Sequence, residues 1–177
     1  MILRDATSFQ LPAHLSKFYE GNAGDTTGSV IKIQQEYDLL SKKIIRLDFR
    51  NGIENDVEWL NQKGLQILDI DLNLMDLGYY KFDHLKKIDQ EGGYFISRYK
   101  VGTNLFVKDI EGMYQSLDWQ KMLLDVTGAD FEQDVCLGSG KEKLPVRLHL
   151  QKIPTEAFEK RLKKYDQKQK NGHQPLE

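Results

Sequence analysis

The sequence predicts an α/β fold, a mixed sheet with flanking helices, extended by a β-containing appendage. Three stretches carry that reading. Residues 74–100 run strand, turn, helix, turn, strand. An apolar segment ends at Asp76, Gly78-Tyr79-Tyr80 turns, and Phe82, Leu85 and Ile88 form one helical stripe before the Gly92-Gly93 break and the aromatic strand 94–99. Residues 30–49 hold two β-type runs around a short connection. Residues 131–153 hold two more around Gly138-Ser139-Gly140-Lys141, a hairpin signal.

The elements follow in order. Residues 1–7 read as a strand. Pro12 and the pattern over 9–18 suggest a loop passing into a short helix, and glycines 21, 24 and 28 mark residues 20–28 as a flexible loop. Residues 30–37 alternate Ile31, Ile33 and Gln35 against Lys32 and Gln34, the period of a strand. Ile44, Ile45, Leu47 and Phe49 mark the second strand of an antiparallel hairpin. Asn55 as N-cap and Gly64 just past the end bracket a two-turn helix over 55–62. A strand within 65–76 delivers Asp76. After Gly102 the pattern changes, with helical patches over 109–124 that include Trp119. In the hairpin, Val146, Leu148 and Leu150 point one way and Arg147, His149 and Gln151 the other. Pro154-Thr155 opens a long polar helix to about Lys168, with Thr155 as N-cap. The domain reading is a core over 1–104, a β-containing insertion over 105–155, and a basic helix and tail over 156–177.

Composition narrows the function classes. A chain of 177 residues, 40% apolar and 29% charged, suits a globular domain with an adequate core. No apolar run approaches the ~20 residues that cross a bilayer, and Arg4 and Asp5 break any leader pattern, so the expectation is no membrane and a cytoplasmic protein. One cysteine, Cys136, excludes an internal disulfide framework; it sits in an apolar strand as a packing residue. Net charge is −2, without a global nucleic-acid signature. Cations nevertheless cluster at Lys42–Arg50, at Lys81, Lys86 and Lys87, at Arg98 and Lys100, and along the tail from Lys160, against an acidic block over 109–134. Such patches bind phosphate backbones or are simply solvated faces. Leu176-Glu177 resembles a cloning scar, which reads as a piece cut from a longer protein.

Chemistry centres on two aspartates. Carboxylates at the carboxyl ends of strands are where α/β sheets gather catalytic groups. If their strands are neighbours, Asp5 and Asp76 could share a divalent cation for phosphoryl transfer, hard Mg²⁺ preferring carboxylate oxygen and water. Paired sites of that kind need the oxygens within roughly 4–7 Å of each other. The plainer alternatives are a surface charge at Asp5 and a turn-shaping residue at Asp76. A different metal nuclease would need a further carboxylate beside the pair, such as Asp48 or Asp71. His14, His84, His149 and His173 have no metal spacing and read as surface. Tyr79 and Tyr80 read as buried aromatics, with base stacking the alternative.

Several segments, in order, resemble the catalytic domain of bacterial insertion-sequence transposases of the DDE class, which have a ribonuclease H-like fold. They are Leu3-Arg4-Asp5-Ala6-Thr7 with its continuation to Pro12, Gly21-Asn22-Ala23-Gly24 followed by residues 31–39, Asp76-Leu77-Gly78-Tyr79-Tyr80, residues 94–100, and Lys143-Leu144-Pro145-Val146-Arg147-Leu148 with the basic helix. The resemblance implies a ribonuclease H-like mixed sheet with a β-rich insertion. It makes Asp5 and Asp76 catalytic metal ligands for Mg²⁺ (or Mn²⁺), and DNA, the transposon ends, the partner. Arg98 and Lys100, with Lys81 behind them, become backbone contacts, and a homodimer is possible in the full-length protein. The family's third carboxylate belongs to a Tyr-x-x-Arg-Trp-x-x-Glu-like helix, whereas the tryptophans here are Trp59 and Trp119 in other contexts. The expectation is therefore a fragment of a cut-and-join enzyme, holding metal weakly and inactive by itself. The alternative is a non-catalytic DNA-binding or assembly module, a degenerate remnant.

Overall fold

The computed structural model describes residues 1–21, 27–65, 67, 71–126 and 128–170. Most of the glycine loop over 20–28, His173 and the terminal Leu176-Glu177 lie outside them. The backbone forms two units, Met1–Lys100 and Val101–Glu177.

The first unit is built on β1 (Ile2–Gln10), longer than the sequence pattern suggested. It pairs antiparallel with β2 (Val30–Asp38), which pairs antiparallel with β3 (Lys43–Asn51). On its other side β1 runs parallel to β4 (Leu72–Met75), and β4 parallel to β5 (Tyr94–Ser97), giving the order β3-β2-β1-β4-β5. That is the mixed α/β sheet with flanking helices that the resemblance implied. Parallel neighbours need a crossover, and α2 (Phe82–Gln90) supplies the one between β4 and β5. The α1 helix (Asp56–Lys63) starts where Asn55 Oδ1 accepts the Val57 N–H at 2.8 Å and stops at Gly64, whose φ of +76° suits glycine.

One face of this sheet carries a polar core. Residues opposite one another in the register share a face, which groups Arg4, Gln34, Glu36, Arg46, Asp48 and Asn73. Arg4 and Glu36 are 1% and 2% exposed; Arg4 Nε meets Glu36 Oε1 at 2.8 Å and Arg4 Nη1 meets Asn73 Oδ1 at 2.5 Å. Trp59 of α1 packs here, its indole N–H donating to Asp48 Oδ2 at 2.8 Å. The alternation in β2 was real, but its polar set faces inward. The opposite face carries Phe9, Leu47, Phe49 and Ile96, 53%, 43%, 56% and 60% exposed.

His84 corrects the surface reading. It is buried on α2 beside Leu85 and Ile88, with Nε2 2.9 Å from Asn61 Oδ1. Burial, aided by Lys81 and Lys87, lowers its pKa. A histidine lowered in the fold binds fewer protons folded than unfolded, so its contribution is intact above the unfolded value, about 6.5, and is lost as pH falls below it. Thermal denaturation from pH 7.5 to 5 should show stability falling with acid, and His84→Gln should flatten that slope.

The second unit holds an antiparallel sheet, β7-β6-β8-β9, from β6 (Asn104–Lys108), β7 (Tyr114–Ser116), β8 (Asp130–Ser139) and β9 (Glu142–Gln151). The hairpin pairs Val135 with Val146 and Leu137 with Leu144. Its core includes Leu105, Val135, Cys136, Leu137, Leu144 and Leu148. Residues 109–124 are less helical than their composition suggested: β7 lies within them, and only α3 (Trp119–Asp125) is helix, capped by Asp118. In α4 (Thr155–Lys170), Thr155 is already helical and the Pro154 carbonyl takes the first helical bond from Phe158. Among the described residues no helix is long and apolar enough to cross a membrane.

Candidate active site

The ladder between β1 and β4 ends at the pair Arg4–Met75. Asp5 and Asp76 are the residues that directly follow this pair: Asp5 is the fourth residue of β1, which runs on to Gln10, and Asp76 comes immediately after β4. Both are exposed. Asp5 lies opposite Gln35, and Gln35 opposite Leu47, on the side away from the polar core. Two exposed carboxylates just past the end of one parallel ladder are of the hard-oxygen type that Mg²⁺ or Mn²⁺ takes. Among the described residues no group of three His, Cys, Asp or Glu is placed to hold an ion.

Asp76 also shapes the turn, as the plainer reading had it. Its Oδ1 accepts the Gly78 N–H at 2.7 Å and caps a 3-10 turn over Leu77–Tyr79. The carboxylate's other oxygen lies outside that bond. Gly78 is required by space: a Cβ there would lie 2.6 Å from Asp56 Oδ2 and 3.0 Å from Asp76 Oδ1. Gly78→Ala should force these carboxylates aside and cost about 1–3 kcal/mol, read as a lowered midpoint in urea denaturation.

The further carboxylates considered for the pair are elsewhere. Asp48 is on the opposite face of the sheet, bonded to Trp59 and 3.4 Å from Lys63 Nζ. The Trp59 bond leads the causes that hold its pKa below the ordinary carboxylate value. Asp71 precedes β4, at the strand end away from Asp76, and faces the N-terminal amine at 3.8 Å.

The cations cluster at the same end. Met75 pairs with Ser97, so Arg98 follows β5 where Asp76 follows β4; Arg98 and Lys100 are exposed. Lys100 Nζ is 5.8 Å from the Tyr80 ring centroid, and Lys81 Nζ is 3.5 Å from Asp83 Oδ2. The burial of Tyr79 is as its sequence reading had it; its partner Gln34 is what sequence reasoning missed. Tyr79 is fully buried, edge-to-face on Trp59 at 6.2 Å, and its hydroxyl donates to Gln34 Oε1. Burial, then the field of Asp56, Asp5, Asp76 and Glu36, raises its pKa, so the phenol stays a neutral donor. The only signal for Gln34 was a polar residue at a strand position, which reads equally well as solvent-facing.

Comparison with known proteins identifies the family. A family described as "Transposase DDE domain" matches residues 2–172. The transposase for insertion sequence element IS1151 of Clostridium perfringens is 34% identical over 176 residues, 92% of this chain and 37% of that protein. The transposase for IS231F of Bacillus thuringiensis subsp. israelensis is 33% identical over 188 residues, 97% of this chain and 39% of that protein. The cryo-EM structure of a piggyBac transposase synaptic complex with hairpin DNA aligns at a TM-score of 0.41 and 11% identity, over 88% of this chain and 34% of that one. The chain thus spans well under half the length of the two insertion-sequence relatives, and it belongs to the DDE transposase domain family.

Proposed function

We propose that this chain supplies the part of a transposase that presents two metal-binding carboxylates, Asp5 and Asp76, to transposon-end DNA. In a protein of the relatives' length the reaction is the cutting and joining of that DNA by phosphoryl transfer, in the bacterial cytoplasm. The observation that supports this reading is that both aspartates directly follow the last pair of the parallel β1–β4 ladder. Bound Mg²⁺ or Mn²⁺ would polarise the phosphate and activate the attacking oxygen. The chain's own residues hold and orient: Asp5 and Asp76 take the cation, and Arg98 and Lys100, with Lys81, contact the phosphate backbone. The unit from Val101 onward, with its four-stranded sheet, is the β-rich insertion.

With two carboxylates, the 177-residue chain holds metal weakly and leaves supercoiled plasmid intact. A transposase of the relatives' length containing it nicks the plasmid in Mg²⁺ or Mn²⁺, and loses that activity on Asp5→Asn or Asp76→Asn. Nicking that survives either change would overturn the assignment.

A further inference from the structure

The β1–β4 ladder stops one residue short of the two aspartates, so it does not by itself fix how far apart they stand. A chain of buried and half-buried side chains reaches the Asp76 turn from the other direction. The turn ends at Tyr79, whose hydroxyl donates to Gln34 Oε1. Gln34 is 0% exposed, and its Nε2 donates to Asp56 Oδ1 at 2.5 Å. Asp56 opens α1, also takes Lys32 Nζ at 3.2 Å, and lies with Oδ2 against Gly78. Gln34 sits on β2 opposite Ala6, the residue after Asp5. One set of bonds therefore ties the turn carrying Asp76 to the strand pair carrying Asp5.

We propose that the Tyr79–Gln34–Asp56 chain is a positioning device that sets the spacing of the Asp5 and Asp76 carboxylates. It rests on the metal reading above and adds residues that touch neither cation nor DNA. Tyr79 restrains the far end of a three-residue turn whose near end is Asp76. Losing the hydroxyl releases Gln34 and frees the turn to rotate about Gly78, which spreads the distance between the carboxylates. A cation bridging two ligands is sensitive to that spread, because Mg²⁺ and Mn²⁺ bind within a narrow range of oxygen distances.

The test is Mn²⁺ titration of the 177-residue chain, followed by electron paramagnetic resonance, with melting temperature read in parallel. Tyr79→Phe should weaken Mn²⁺ binding by about tenfold, the loss typical of groups that orient metal ligands. Leu85→Ala, in the core of α2 and outside the chain of bonds, should lower the melting temperature at least as much and leave Mn²⁺ affinity unchanged. Wild-type affinity in Tyr79→Phe, or an equal loss in Leu85→Ala, overturns the positioning role. Asp5→Asn and Asp76→Asn should abolish binding. Should both bind Mn²⁺ like the wild type, or the wild type not bind it, the metal reading itself falls, and the positioning role with it.

Discussion

In a transposase that carries these residues, Asp5→Asn and Asp76→Asn should each lower strand cleavage by about a thousandfold or more, as expected when one member of a catalytic unit is removed. Asparagine keeps the shape and removes the charge, so the cation loses its anionic ligand while the fold is preserved. For Asp76 the turn survives too, because an amide oxygen can still accept the Gly78 N–H, now 2.7 Å from Oδ1. DNA affinity should stay near the wild-type value, since the cations at Arg98, Lys100 and Lys81 are untouched. Gel-shift binding beside nicking rates separates the two effects, and equal losses in both would point to misfolding.

The second large effect is on stability. Glu36 lies between two guanidinium groups, Arg4 Nε at 2.8 Å and Arg46 Nε at 3.5 Å, and is 2% exposed. Glu36→Leu should destabilise the first unit by about 3–5 kcal/mol, because it removes a carboxylate from a buried ion pair with Arg4. Replacing both partners, as in Arg4→Met with Glu36→Leu, should restore most of that loss, since an apolar pair of similar volume avoids the desolvation cost. Urea denaturation followed by Trp59 fluorescence reports on this unit, as that indole packs against the same face. A double variant no better than the single would mean that Asn73, which also bonds Arg4, makes the dominant contribution.

Much of this architecture was legible because period and punctuation agreed. Asn55 and Gly64 bracketed α1, Gly92-Gly93 closed α2, and the strands of both hairpins declared themselves through alternation. The suggestion that Asp5 and Asp76 act together came only from an ordered set of weak motifs, since neither residue has a local signature that distinguishes a ligand from a turn former. The polar core was not legible. Gln34 and Glu36 alternate with Ile31 and Ile33, and a period of two says which residues share a face without saying which face is covered. His84 failed for a similar reason: histidine next to Asp83, in a helix that also carries Lys86 and Lys87, looks solvated until its neighbours in space are known. Asp48 lies on β3 facing the polar core, and Asp71 precedes β4 at the end away from Asp76, placements that composition alone does not reveal.

The order β3-β2-β1-β4-β5 has a consequence for synthesis. A ribosome makes β1, β2 and β3 as a contiguous antiparallel meander finished at Asn51, while β4 begins only at Leu72. At about 5–20 residues per second, the parallel edge of β1 waits a second or more for its partner. Throughout that interval Phe9, Leu47 and Phe49 are presented on a sheet with an unpaired edge, the form most inclined to join a neighbouring nascent chain. Slower translation through residues 52–71 should then lower the share of this protein that reaches its folded state.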